Sequence, residues 1–243
     1  MLTPPSDAQR RELFALTVRR MEQRLEAGES KGAVLRAVGW GLQEMEHTLA
    51  ETPEPMRARI ACRAGCGHCC SSPVDVQAHE VFFVADYIQR TFPPEDLEDI
   101  IARTAEHRAF HAKLDANQRE CSRVPCVFLI EGSCAIYEGR PEICRAHHMS
   151  DVAPCVAFVD DPDVDLSVAH IPALRARMFA VMLGVDEALE AAGYDERSYD
   201  FGSALNEALT NSLCLSRWLR HQPAFADSCL TPELPQPDRA GNS

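Results

Sequence analysis

The sequence has no apolar run long enough to cross a bilayer. Its longest, residues 81–85 and 178–185, fall far short of the roughly 20 residues a spanning helix needs. It also lacks an excess of basic charge. With 24 Lys and Arg against 37 Asp and Glu, the net charge is −13, the wrong sign for a surface that grips phosphates. The first twenty or so residues hold no apolar core followed by small cleavage residues. No secretory signal is therefore expected, and the cytoplasm is the expected compartment. There is no GxGxxG fingerprint, no phosphate loop and no series of strand–helix units, so dinucleotide-binding and barrel architectures are not expected. Neither a nucleic acid nor a membrane is called for as a partner, and no protein partner is specified.

What the sequence does have is cysteine, eleven of them in 243 residues. In a reducing compartment clustered cysteines read as metal ligands or redox groups rather than disulfides, and an odd count fits complete pairing poorly. Two blocks stand out. The first is Cys62-x3-Cys66-x2-Cys69-Cys70, with Gly65 and Gly67 supplying the backbone freedom a tight ligand turn needs. The second is Cys126-x7-Cys134-x9-Cys144-x10-Cys155. Folding has to bring the two together, so metal binding contributes to folding energy. Vicinal side chains diverge, so Cys69 and Cys70 either serve different metals or leave one thiol spare. Cys121 and Cys229 are set aside, and Cys214, in a helical stretch, reads as a small hydrophobe.

An all-thiolate set selects zinc or an iron–sulfur cluster over magnesium, calcium or manganese, and leaves those two open. Arg59, Arg63, Arg140 and Arg145 lie close in sequence to the ligands and can offset the negative charge of such a centre. His68, His147 and His148 are candidate replacements for a cysteine on zinc, or second donors around it. Cys62, Cys66 and Cys69 repeat the spacing of the radical adenosylmethionine motif, but without the barrel that chemistry needs. Asp75 and Glu80 are expected to cap a helix start and face solvent rather than act as acid or base, and His79 points to no role. Catalytic residues are not identified.

The rest of the chain reads as mainly α, with an irregular cysteine-rich core, a short β-hairpin and flanking helices. Helical stripes run from Asp7, where that residue can cap, and again through Val34, Leu35, Val38, Leu42, Met45 and Leu49. Helices are also expected over residues 76–90, from Pro93-Pro94 to about Leu114, from about Pro172, and over residues 203–220. Residues 127–130 followed by Glu131-Gly132-Ser133 suggest the hairpin. This divides the chain into an N-terminal helical hairpin (1–55), a cysteine-cluster domain (56–160), C-terminal helices packing on the core (161–222) and a flexible tail (223–243).

The segments CRAGCGHCC, VDVQAHE and CVFLIEGSCAIYEGRPEICR together resemble the YkgJ-type cysteine-cluster family of zinc- or iron-chelating proteins. The matching positions are Cys62, Cys66, Cys69, Cys70, Asp75, Glu80, Cys126, Leu129, Cys134, Tyr137, Arg140, Pro141, Cys144 and Arg145. The resemblance implies metal chelation by these cysteines, over roughly residues 60–150. The chain departs from the pattern at Ala146-His147-His148, where the family has an aromatic residue. A flagellin lysine methylase carries a similar cysteine pattern, which implies an alternative: an iron–sulfur-dependent redox or group-transfer enzyme, for example with a protein-modifying, methylase-like activity.

Overall fold

The computed structural model describes residues 7–230. Eleven α-helices and four two-residue strands are found among them, a mainly α fold. The helices are α1 (Asp7–Leu25), α2 (Lys31–Ala50), α3 (Glu54–Arg57), α4 (Ala78–Thr91), α5 (Pro94–His111), α6 (Ala116–Glu120), α7 (Glu142–Ala146), α8 (Ala153–Asp160), α9 (Pro172–Ala191), α10 (Phe201–Thr210) and α11 (Leu213–Trp218). The strands are β1 (Asp75–Val76), β2 (Leu129–Ile130), β3 (Ser133–Cys134) and β4 (Tyr199–Asp200).

The sequence punctuation explains most boundaries. Asp7 lies in the first turn of α1 and pairs with Arg10. Ser30 caps α2, its Oγ accepting from the Ala33 N–H at 3.3 Å. Pro93 and Pro94 open α5, where a missing N–H costs nothing. Two expected helices are shorter than the periodicity suggests. Residues 75–76 are not helical but pair, antiparallel, with residues 199–200. Helix α4 begins only at Ala78 because Gln77 and Glu80 form a reciprocal capping box. The stretch 203–220 is interrupted at Asn211, whose extended backbone (φ −132°, ψ 98°) separates α10 from α11.

Helix α9 is the spine of the bundle, with α1 and α2 lying against it, α4 against α2, and α10 between α4 and α5. The first and last long helices therefore touch. Gly184 of α9 makes the crossing with α1 possible, since a Cβ there would sit 2.8 Å from Thr17 Cβ and 3.0 Å from the Phe14 carbonyl. The main core is aliphatic and aromatic: Phe82, Trp218 and Phe225 stack at ring separations of 5.0 and 5.1 Å, and Val34, Val81, Ile88, Val185 and Leu205 fill around them. Burying side chains of this size stabilises by about 1.5–3 kcal/mol each before the entropy of ordering them is counted. Cys214 belongs to this core, as a small hydrophobe. Within the segment expected to be a tail, Ala224 and Phe225 are buried, and the Leu230 N–H bonds to the Ser198 carbonyl at 2.8 Å. The remainder of that segment, 231–243, lies outside the described residues.

A second apolar cluster, built on Met45, Met56, Ile171, Leu174 and Met178, reaches Ala146 and so seats the end of α7. A third and smaller one joins Met149, Cys155 and Ala169, with Cys62 packed against it. These two clusters fix the cysteine-rich segment to the helical frame.

Candidate metal centre

The two cysteine blocks are joined by backbone hydrogen bonds at both ends. The Cys126 N–H donates to the Cys70 carbonyl at 2.6 Å, which seats the start of the second block on the end of the first. At the other side the Ala61 N–H donates to the Met149 carbonyl at 2.8 Å, and the Met149 N–H returns a bond to Cys62 Sγ at 3.2 Å. Helix α8 packs on the single 3-10 turn of residues 68–71, which brings Cys155 within electrostatic reach of Cys62, Cys69 and Cys66. Between them the β2–β3 hairpin closes the wall, turning at Glu131 and Gly132 with φ of 49° and 77°. Gly67 lies flat against that turn: a Cβ there would meet Leu129 Cδ1 at 2.6 Å and the Gly132 carbonyl oxygen at 2.8 Å. No side chain fits.

The result is one cavity of about 400 Å³ lined by Cys62, Cys66, Cys69, Cys70, Cys126, Cys134, Cys144 and Cys155. These are the eight cysteines singled out in the sequence. Cys121, Cys214 and Cys229 do not line it, and Cys121 is an exposed residue ending α6. All eleven are free thiols.

Electrostatics divides the eight. Burial raises the pKa of Cys62, which also feels Cys69 and Cys66. Burial raises Cys155 to about 11, with Cys62, Cys69 and Cys66 adding to the effect. Cys126 is likewise pushed up to about 11 by burial, then by Cys134 and Cys69. Burial raises Cys134, and it raises Cys144 far above the ordinary thiol range with help from Cys126, Cys69, Glu80 and Cys134. So Cys62, Cys66 and Cys155 form one set, and Cys126, Cys134 and Cys144 another. Cys69 faces both, and its own pKa is raised first by its hydrogen bond with Cys70 and then by burial. Backbone hydrogen bonds from Met149, Phe128 and Ile136 to Cys62, Cys126 and Cys134 work in the opposite direction and favour thiolate. The thiols of Cys62, Cys69, Cys126, Cys134, Cys144 and Cys155 are thus held towards the protonated form, and a metal must displace those protons to bind them.

Of the four arginines near the ligands in sequence, Arg63 and Arg140 line the cavity. Arg140 also lowers the pKa of Cys134, against the larger effect of burial. Its guanidinium donates to the Tyr137 carbonyl at 2.6 Å and to Glu46 at 3.1 Å. Arg145 is buried and bonds to Glu46, to the Arg140 carbonyl at 3.0 Å and to the Glu138 carbonyl, which makes it a brace for the turn before α7. His147 and His148 line the cavity, His68 does not. His147 Nε2 and His148 Nδ1 are buried without a hydrogen-bond partner. Burial lowers both, His147 to about 4, so each is a neutral imidazole with a free nitrogen. Of the three candidate histidines, these two are suited to assist the thiols.

Asp75 and Glu80 differ from the solvated helix-start pair the sequence suggests. Asp75 lies in β1 and pairs with Arg119. Glu80 does cap, its Oε2 accepting from the Gln77 N–H at 2.7 Å, but it is buried and not solvated. Its Oε1 accepts from the Glu142 N–H at 2.8 Å, so one carboxylate pins α4 to α7. Burial and the neighbouring Glu142 raise its pKa to about 7.

One cluster goes unnoticed in the sequence. His107 Nε2 lies 3.1 Å from Asp200 Oδ1, the His111 ring stacks on His107 at 4.0 Å, and Arg119 Nε is 3.7 Å from Asp200 Oδ2. Asp200 also caps α10 through the Ser203 N–H at 2.9 Å. Burial alone would raise this carboxylate, but the His107 and Ser203 hydrogen bonds hold it well below the usual range. With Arg119 as its cation, the group is an ion cluster tying α5 to α10. His107 and His111, one helical turn apart, were its only local signal.

Residues 61–165 match the family model CxxCxxCC, described as "Putative zinc- or iron-chelating domain". The match contains all eight cavity cysteines and leaves α1 to α3 and α9 to α11 outside it. No curated protein and no solved structure matches the chain. The cysteine-rich region is thus similar to a domain of this type, whose description gives zinc or iron chelation as its role.

Proposed function

We propose that the eight cavity cysteines chelate metal as thiolates, and that the metal is carried as iron–sulfur rather than as a lone zinc ion. The observation that carries the choice is spacing. Four thiolates about 2.3 Å from one tetrahedral zinc lie about 3.8 Å from one another. Trios of ligand atoms within 4.8 Å of one another occur at two places among the described residues, and neither includes a cysteine. Eight soft donors spread around about 400 Å³ suit a centre that shares its thiolates among several irons. Backbone bonds to Cys62, Cys126 and Cys134 are of the kind that set the potential of such a centre. In this reading Cys62, Cys66 and Cys155 hold one side, Cys126, Cys134 and Cys144 the other, and Cys69 and Cys70 complete them. When bound, the group would supply one-electron chemistry.

A second reading, a redox or group-transfer enzyme, is favoured by one feature. A cleft of about 790 Å³ adjoins the cavity and shares Cys69, Cys144 and His147 with it. Its other walls set Asp75, Gln77, Arg119, Glu142 and Asp186 among apolar side chains such as Val76, Ile143 and Met182, so a substrate with polar and apolar parts could lie against the back of the centre.

Anaerobic purification with iron, sulfide and zinc analysis tests the proposal. Brown protein absorbing near roughly 400 nm, with iron and sulfide in comparable amounts, is the expected result. Colourless protein with stoichiometric zinc would refute the iron–sulfur choice while leaving thiolate chelation standing. Metal-free protein with paired cysteines would refute both.

A further inference from the structure

Beside the thiol cavity, three side chains from three helices meet, and the one arginine charge felt by Glu142, that of Arg145, is hydrogen-bonded elsewhere. His79 of α4 places Nε2 3.6 Å from Glu142 Oε1 of α7 and 3.8 Å from Asp186 Oδ1 of α9. The three atoms lie within 4.8 Å of one another. The His79 and Glu142 side chains are 2% and 1% exposed, and Asp186 is 20% exposed. Both His79 Nε2 and Glu142 Oε1 are buried with no hydrogen-bond partner. Glu80 lies next to them, but both its oxygens are already engaged, by the Gln77 and Glu142 N–H groups. The nearest arginine in sequence, Arg145, turns its guanidinium to Glu46 and to backbone carbonyls.

Separations of 3.6 and 3.8 Å are too long for hydrogen bonds. They are close to what one ion produces, because two ligands about 2.1 Å from a common metal lie about 3.0–3.5 Å apart at octahedral to tetrahedral angles. Two carboxylates and an imidazole, with no thiolate among them, are a donor set for first-row divalent metals that accept oxygen. Asp186 and Glu142 also line the cleft of about 790 Å³, which gives an ion an entry path and room for water ligands. Glu80 fits as the orienting group: by accepting the Glu142 N–H it fixes the helix turn that aims the Glu142 carboxylate inward.

We propose that His79, Glu142 and Asp186 form a second metal site, separate from the thiol cavity, for one oxygen-preferring divalent cation such as Mn²⁺ or Fe²⁺. The site does not depend on which metal the cysteines carry. Its members come from helices that cross only in the folded chain, so the ion would cross-link α4, α7 and α9.

The test uses the full chain, purified anaerobically, with Mn²⁺ alone as the probe. Manganese competes poorly for thiolates, so loss of the free aqueous Mn²⁺ signal in electron paramagnetic resonance reports the carboxylate site. The wild type should bind one Mn²⁺ per chain saturably. Asp186→Asn, at the most exposed of the three positions and therefore the safest for folding, should weaken binding at least about tenfold, as should His79→Gln. Saturating Mn²⁺ should raise the melting temperature of the wild type by mass action and leave that of Asp186→Asn unmoved. Asp186→Asn should keep the metal content of the thiol cavity unchanged. Absence of one-to-one Mn²⁺ binding, unchanged affinity in Asp186→Asn and His79→Gln, or loss of the cysteine-bound metal in Asp186→Asn would each overturn the proposal.

Discussion

Metal uptake by the cavity should depend on pH far beyond the range in which free thiols titrate. Burial and neighbouring sulfurs hold Cys126 and Cys155 at about 11 and raise Cys62, Cys69, Cys134 and Cys144 as well. Removing the proton from a thiol four units above the ambient pH costs about 5 kcal/mol, which the metal bond must supply. The set Cys126, Cys134 and Cys144 releases about three protons on ligation, so apparent affinity should climb by about three decades per pH unit. An exposed thiol also contributes a decade per unit, but only up to about pH 8.5. Here the climb should continue beyond pH 9. The measurement is competition for Zn²⁺, used as a probe on metal-free reduced protein, against a chromophoric chelator whose own protonation is corrected, in half-unit steps from pH 7 to about 10. A slope that flattens near pH 8.5 would show the thiols to be ordinary and would remove the electrostatic grouping on which the ligand sets rest.

Three further outcomes are expected. Gly67→Ala puts a methyl group against the Gly132 carbonyl at 2.8 Å, and should cost about 1–3 kcal/mol by overpacking. Chemical denaturation would read the loss, and metal content should fall with it because the hairpin carrying Cys134 is pushed away. Glu80, Glu142 and Asp186 are raised by burial to about 7, 8 and 8, above their unfolded values. Their stabilising contribution is therefore complete below about pH 4 and is lost as pH rises towards 8. The cation-free protein should melt at least about 2 kcal/mol, or roughly 4–8 °C, lower at pH 8 than at pH 5, and circular dichroism melts showing the reverse trend would contradict the assignment. Asp200→Ala removes the cap of α10 and strands His107 beside Arg119. It should destabilise by about 2–4 kcal/mol, visible as loss of amide-exchange protection in α10, whereas a loss under about 0.5 kcal/mol would show the ion cluster to be incidental.

The cysteine centre was legible in the sequence because its signals are local: closely spaced thiols, glycines in the ligand turn, a Glu-Gly hairpin corner. That Cys62 and Cys155 share a wall follows only from the packing of α8 on the 68–71 turn. The long helices were legible from their apolar periodicity and from Pro93-Pro94. Strand β1 was not, because Asp75 and Val76 find their partners at Asp200 and Tyr199, far along the chain, and no local pattern announces such a pairing. Nor was the burial of Glu80, since a carboxylate at a helix start reads as solvated until α7 is seen to cover it. His79, Glu142 and Asp186 sit on three helices, and each alone looks like an ordinary polar position.

The bond from the Cys126 N–H to the Cys70 carbonyl has a consequence for how the centre is assembled. Cys62, Cys66, Cys69 and Cys70 emerge together during synthesis, whereas their partners follow only after α4, α5 and α6 have been made. The early thiols can seize a metal by short-range closure long before the later ones exist, and the entropy of closing the intervening loop falls on the second stage. A half-ligated state is therefore built into the order of the chain. Whichever ion is encountered first gains a kinetic advantage over the one that the finished cavity would select, and fidelity then depends on exchange before residues 126–155 dock.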